Sequence, residues 1–209
     1  MTAPPAVMVV AIPQAQLNRK AKLLTWATIG YNTLEGIIAI AAGIVAGSVA
    51  LTSFGLDSVV EVTSAAALAW QFAHRTDPCA REQRTLRLIA WAFFALAGYV
   101  ALDSLRSLVS GREAEHSPVG IALTATSVIV MPVLVYAKRR VGHKLGSTTL
   151  LADSKQTLLC TYLSAVVLAG LIVNALVGWW WFDPTIGLLI AAFAVKEGRQ
   201  AWRGKTCCA

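Results

Sequence analysis

GSVALTSFGLDSVVEVTSAAALAW, residues 47–70, decides the fold. It is an apolar run long enough to cross the ~30 Å hydrocarbon core of a bilayer. It opens on a Gly-Ser turn and carries two carboxylates, Asp57 and Glu61, where a membrane helix tolerates charge least. Gly47-Ser48 leaves almost no loop behind the apolar run before it, so the two pair as a tight helical hairpin. Six spans follow in all, at roughly 22–46, 48–72, 86–109, 118–137, 149–176 and 184–202. Between them lie a polar segment at 73–85, a short turn at 110–118, a basic loop at 138–147 (KRRVGHKLGS), and WWWFDP at 179–184, whose Asp-Pro marks a new helix start.

Composition supports that reading. Of 209 residues 56% are hydrophobic and 14% charged, and mean hydropathy is +0.62. Ordinary soluble domains carry about 25% charged residues. A soluble enzyme, a disordered chain and a disulfide-stapled secreted module are thereby excluded. Cys79, Cys160, Cys207 and Cys208 have neither zinc-finger nor secreted-framework spacing.

Net charge is +7, but the placement of the basic residues says more than their sum. All 18 Lys and Arg fall on one side of the six spans except Arg106 and Arg112, opposite, and Lys155, inside the fifth. The positive-inside rule makes that side cytoplasmic, with both termini on it. Trp179, Trp180 and Trp181 then form an outer aromatic belt, with Trp70 and Trp202 near the inner interface. Residues 1–21 read as a loose cytoplasmic tail. Their start lacks a basic region and Pro13 interrupts its apolar run, so no signal peptide is expected. Residues 204–209 read as a short cytoplasmic tail with no soluble domain after it. The fold class is an all-α membrane protein, a six-helix bundle.

Chemistry concentrates in the spans. Glu35, Asp57 and Glu61 together cost about 8–10 kcal/mol on insertion scales, so their default reading is functional. Asp57 and Glu61 stand i,i+4 on one helix face. Two anions so placed repel, and either a divalent cation or protonation removes the repulsion, which is the exchange an antiporter needs. The fifth span offers Asp153, Gln156, Thr157, Cys160 and Ser164, with Gln156 and Cys160 again i,i+4. Two such pairs on facing helices can build a tetrahedral site. Thiolate favours zinc, whereas carboxylates alone suit manganese or iron.

Blander readings stand beside these. Asp57 and Glu61 can pair with Lys155 as a structural network, although we read Lys155 as snorkelling to the cytoplasm. Gln156 and Cys160 can be packing residues. Asn32 and Glu35 serve either as outer-shell or ion-path groups, as does Asp153, or as an interhelical hydrogen bond. Asp103 and Asn174 read as packing or interface residues. His74, His116 and His143 are placed in loops and read as solvated. With no histidine near Cys160 there is no nucleophile–base pair, and no enzyme is expected. The basic residues form separate flanks rather than one patch, so no nucleic-acid partner is expected.

Gly47-Ser48-Val49-Ala50-Leu51 followed by the Asp57/Glu61 pair resembles the second span of the cation diffusion facilitators, six-helix metal–proton antiporters. In that family a Gly-Ser-x-Ala-Leu opening leads to a His-x-x-x-Asp or Asp-x-x-x-Asp pair. Ala152-Asp153 is similar to the start of the family's fifth span, a register that puts Gln156 at its histidine place and Cys160 at its aspartate place. Asn32-x-x-Glu35-Gly36 and Asp183-Pro184 also look like the family, and the resemblance covers roughly 20–203. It implies a cation-efflux-like transmembrane domain over 22–203 whose metal residues are Asp57, Glu61, Gln156 and Cys160. It implies a zinc-like divalent cation as transported substrate, protons as counter-ion, no permanently bound cofactor, and a homodimer through membrane helices, with Asp103 and Arg106 of the third span at the contact. The alternative is a non-transporting membrane subunit or metal-responsive partner of another membrane protein, favoured by the altered fifth-span pair.

Overall fold

The computed structural model describes residues 14–73, 78–111 and 114–203, without the side chains of 67–68, 70–73, 78–86, 148–149 and 152. Within them the chain forms six helices: α1 (Gln14–Ala46), α2 (Val49–Ala73), α3 (Pro78–Ser110), α4 (Pro118–Leu145), α5 (Thr148–Val177) and α6 (Phe182–Trp202). No strand occurs among the described residues. Among the described residues four stretches are long and apolar enough to cross a membrane: Gln14–Ala46, Arg87–Ser110, Pro118–Leu145 and Asp153–Val177.

Helix boundaries follow local chemistry. Gly47, at φ 63°, supplies the left-handed residue that turns α1 into α2. Ser117 caps α4 by accepting from the Gly120 N–H at 3.1 Å, with Pro118 at the first helical position. Ser147 caps α5 through the Leu150 N–H at 3.3 Å. The α2 start is capped from another helix. Asp183 of α6 accepts from Ser48 Oγ at 2.6 Å, from Val49 N at 2.7 Å and from Ala50 N at 3.3 Å. Asp183 is thus the tether of α6 to the α1–α2 turn as well as a helix-start residue.

The helices pair as α1 on α2, α3 on α6 and α4 on α5, with α2 also touching α3, α5 and α6. The α1–α2 approach needs glycine. A Cβ on Gly55 would stand 2.8 Å from the Ile40 backbone nitrogen, and one on Gly43 2.6 Å from that of Thr52. The core gathers Leu51, Phe54, Met131, Leu163, Val167 and Ile190 from α2, α4, α5 and α6. The outer faces are apolar too, with Trp26, Ile37, Val45, Val109, Ile129 and Leu176 all exposed. A bundle apolar inside and out is suited to lipid.

Several sequence expectations need correction. The first helix begins at Gln14, so the end of the expected tail is helical. The polar segment 73–85 is helical from Pro78. The basic run 138–147 is mostly not a loop, because α4 continues to Leu145 and stops only at Gly146, at φ 61°. His143 therefore lies in the last turn of α4, where it is exposed. His74, Arg75, Arg112, Lys205, Cys207 and Cys208, and the side chains of Trp70, Cys79, Arg81 and Arg84, fall outside the described residues.

Candidate functional site

Buried positions of α1 recur every three or four residues: Thr25, Thr28, Asn32, Glu35, Gly36, Ala39 and Gly43. Asn32 and Glu35 therefore share the face turned into the bundle, and both are essentially inaccessible. Glu35 Oε2 accepts from Ser58 Oγ of α2 at 3.1 Å. Among the described residues the Asn32 amide finds no partner for either its nitrogen or its oxygen, and Glu35 Oε1 is likewise unpartnered. Such groups are costly to bury, so this face of α1 carries polar atoms that packing alone does not account for. Deeper between the helices, the Ser164 and Ser127 hydroxyls meet at 3.1 Å and join α5 to α4.

Asp57 and Glu61 are both buried on α2, at 8% and 1% exposure. They open in different directions. Asp57 lines a cavity of about 110 Å³ between α2, α3, α5 and α6 together with Gln156, Tyr162, Ile190 and Glu197. Glu61 turns to α5, where Oε1 accepts from Thr157 Oγ1 at 2.7 Å and the carboxyl also meets the Cys160 thiol. Its other oxygen, Oε2, has no hydrogen-bond partner among the described residues. Cys160 is buried and free.

The structure thus brings Asp57 to Gln156 and Glu61 to Cys160, linking the two i,i+4 pairs across α2 and α5. It does not close them about one point. Among the described residues no three His, Cys, Asp or Glu side chains stand close enough together to hold an ion. Asp153 is buried one turn before Gln156, on the Thr157 side.

The cation facing these acids is Lys138. Lys155 is exposed, and among the described residues it forms no ion pair with Asp57 or Glu61. Lys138 of α4 is completely buried, forms an ion pair with Asp153 at 2.8 Å, and donates to Thr157 Oγ1 at 2.8 Å. Sequence reading assigned Lys138 to an inner basic flank, and that assignment is corrected. The residues beside it, Arg139 and Arg140, are exposed as a flank requires. The available signal was period: Met131, Val135, Lys138 and Val141 continue the buried stripe of α4 at helical spacing. Glu197 was also missed. It reads as part of the charged end of α6, beside Lys196 and Arg199, yet it lines the cavity with Asp57.

The remaining expected residues fall away from this centre. Asn174 anchors a turn, donating from Nδ2 to the Ala114 carbonyl at 2.9 Å. Asp103 is half-buried and Arg106 exposed on α3. His116 is exposed between α3 and α4. Trp179 and Trp181 stack at 5.4 Å between ring centroids and are partly exposed before α6.

A helical bundle, apolar outside, with carboxylates and a thiol buried along facing helices, is the architecture of a membrane bundle with a polar interior. Comparison with known proteins makes the assignment. Residues 88–203 match the cation efflux transmembrane domain. The chain belongs to the cation efflux family and is a multi-pass membrane protein. It is 27% identical over 168 residues to the uncharacterized transporter sll1263 of Synechocystis, covering 76% of this chain and 54% of that protein. It is 28% identical over 95 residues to the cation-efflux pump FieF of Shewanella oneidensis, covering 46% of this chain and 31% of that protein. The chain thus spans about half the length, or less, of the curated relatives it matches.

Proposed function

We propose that this protein is a divalent-metal efflux transporter, zinc-like in preference and coupled to protons, with all six helices crossing the membrane and both termini cytoplasmic. The observation that carries the reading is the buried acidic pair of α2. Asp57 opens to a cavity shared with Gln156, and Glu61 keeps one carboxylate oxygen unpartnered beside Cys160. Carboxylates so buried hold either a cation or protons, and the exchange between them is antiport. Small rigid shifts of α2 against α5 would gather the four groups about an ion on one side of the cycle and spread them on the other. The basic flanks support the orientation, because Arg139, Arg140 and Lys144 lie at the same bundle end as Asp153 and Glu197.

The replacement of the family's fifth-span pair by Gln156 and Cys160 favours a second reading, a membrane subunit that senses metal without moving it. The two separate in proteoliposomes loaded with a zinc-sensitive dye. An antiporter moves zinc when a pH gradient is imposed and slows when the gradient is collapsed. A sensor binds zinc and moves none under either condition.

A further inference from the structure

Lys138 is a buried charge that this transport reading leaves without a role. Its ammonium touches Asp153 directly and Thr157 at 2.8 Å each. The Thr157 hydroxyl accepts from the lysine and donates to Glu61 Oε1 at 2.7 Å, a shorter contact than its alternative acceptor, the Asp153 carbonyl at 3.2 Å. Lysine, threonine and glutamate therefore form one directed chain from α4 through α5 to α2. The chain ends on the carboxylate whose second oxygen is unpartnered. Of the three consecutive basic residues 138–140 only Lys138 turns inward. A buried ammonium is expensive unless paired, and replacing such a pair by apolar side chains is often neutral or stabilising. Packing alone therefore does not account for a lysine here.

We infer that Lys138 is a tethered counter-cation that holds the ion-free site and sets its affinity for divalent metal. This rests on the proposed transport reading and adds to it a specificity-determining residue that acts through Thr157 and Asp153. In the ion-free bundle the ammonium is shared between Asp153 and the Thr157–Glu61 arm, which keeps the buried acids from repelling one another. A divalent ion arriving at Glu61 takes over that arm and leaves the ammonium to Asp153 alone. Lys138 thereby disfavours ions that bind too weakly to displace it, and it helps to expel a bound ion when the cycle turns.

The test is equilibrium binding of zinc, and separately of manganese, to the full-length protein in detergent. Wild type is compared with Lys138→Gln, Lys138→Met, Lys138→Arg and Asp153→Asn. Removing the ammonium charge tightens binding at least about tenfold, since the positive charge at the far end of the Thr157 bridge opposes a divalent ion at Glu61. Asp153→Asn, which leaves the ammonium wholly to Glu61, weakens binding by a comparable factor. Lys138→Arg keeps the charge and stays near wild type. Opposite signs for the two halves of the ion pair are the signature, because a merely structural pair would shift affinity the same way from either side. Weakened or unchanged binding in folded Lys138→Gln or Lys138→Met overturns the inference. Should neither fold, unchanged or tighter binding by Asp153→Asn overturns it as well. No saturable binding by the wild type brings down the transport reading and this inference together, whereas normal wild-type binding with indifferent variants sinks only the latter.

Discussion

Asp183→Ala removes the cap that α6 provides for α2. The carboxylate accepts three hydrogen bonds, from Ser48 Oγ, Val49 N and Ala50 N, and it is buried at 3% exposure. Two of those donors are orphan N–H groups of the first turn of α2, which in an apolar bundle water cannot serve. A hydrogen bond to a charged group contributes about 1.5–3 kcal/mol and a cap alone about 0.5–2 kcal/mol. The three bonds are not additive, so we expect a loss of about 3–5 kcal/mol. Asp183→Asn keeps one acceptor oxygen and should lose roughly half as much. Ser48→Ala removes one donor to Asp183 and the acceptor for the Leu51 N–H, at a cost of about 1–2 kcal/mol. The double variant Ser48→Ala/Asp183→Ala should lose less than the sum of the singles, because they share a bond. Unfolding in mixed micelles, followed by circular dichroism against denaturing detergent, ranks the set. An Asp183→Ala protein within about 0.5 kcal/mol of wild type would refute the capping argument.

Other consequences are quicker to check. Gly55→Ala drives a Cβ to 2.8 Å from the Ile40 nitrogen and should cost about 1–3 kcal/mol in the same unfolding assay. Gly98→Ala, where a Cβ meets nothing within 4 Å, should instead gain about 0.5–1 kcal/mol from helix propensity. Thr157→Val cuts the bridge between Lys138 and Glu61 and leaves two buried charged groups short of a partner, so a stability loss of about 1–3 kcal/mol is expected. Lys155→Met, at an exposed position on the same helix, should change stability by less than about 0.5 kcal/mol. Cys160 is 2% exposed and should react with a thiol reagent in the folded protein far more slowly than in denaturing detergent.

The helices were legible because their punctuation is local. Gly47-Ser48 and Asp183-Pro184 mark a turn and a helix start in the sequence, and the apolar runs are too long for anything but helices; the Ser117 and Ser147 caps show only in the structure. The intramembrane acids were legible for the same reason, since a carboxylate in an apolar run declares itself. Partners were not. Lys138 sits in KRRVGHK, which reads as a solvated flank; only the buried stripe of α4 turns it inward toward Asp153. Lys155 lies much nearer Asp153 in sequence than Lys138 does, yet its helical phase carries it outward. Glu197 is masked by neighbouring charges, and its place beside Asp57 depends on how α6 crosses α2 and α5. Asp183 showed its helix-start role in sequence but not its bonds to α2, which join residues more than a hundred positions apart.

On the proposed reading the buried pair of α2 is the transport site. Wild type and the Asp57→Ala/Glu61→Ala variant, each confirmed folded, would be reconstituted side by side and zinc flux followed under an imposed pH gradient. Gradient-dependent flux is expected in the wild type and none in the variant. Flux of equal rate from both proteins would contradict that reading.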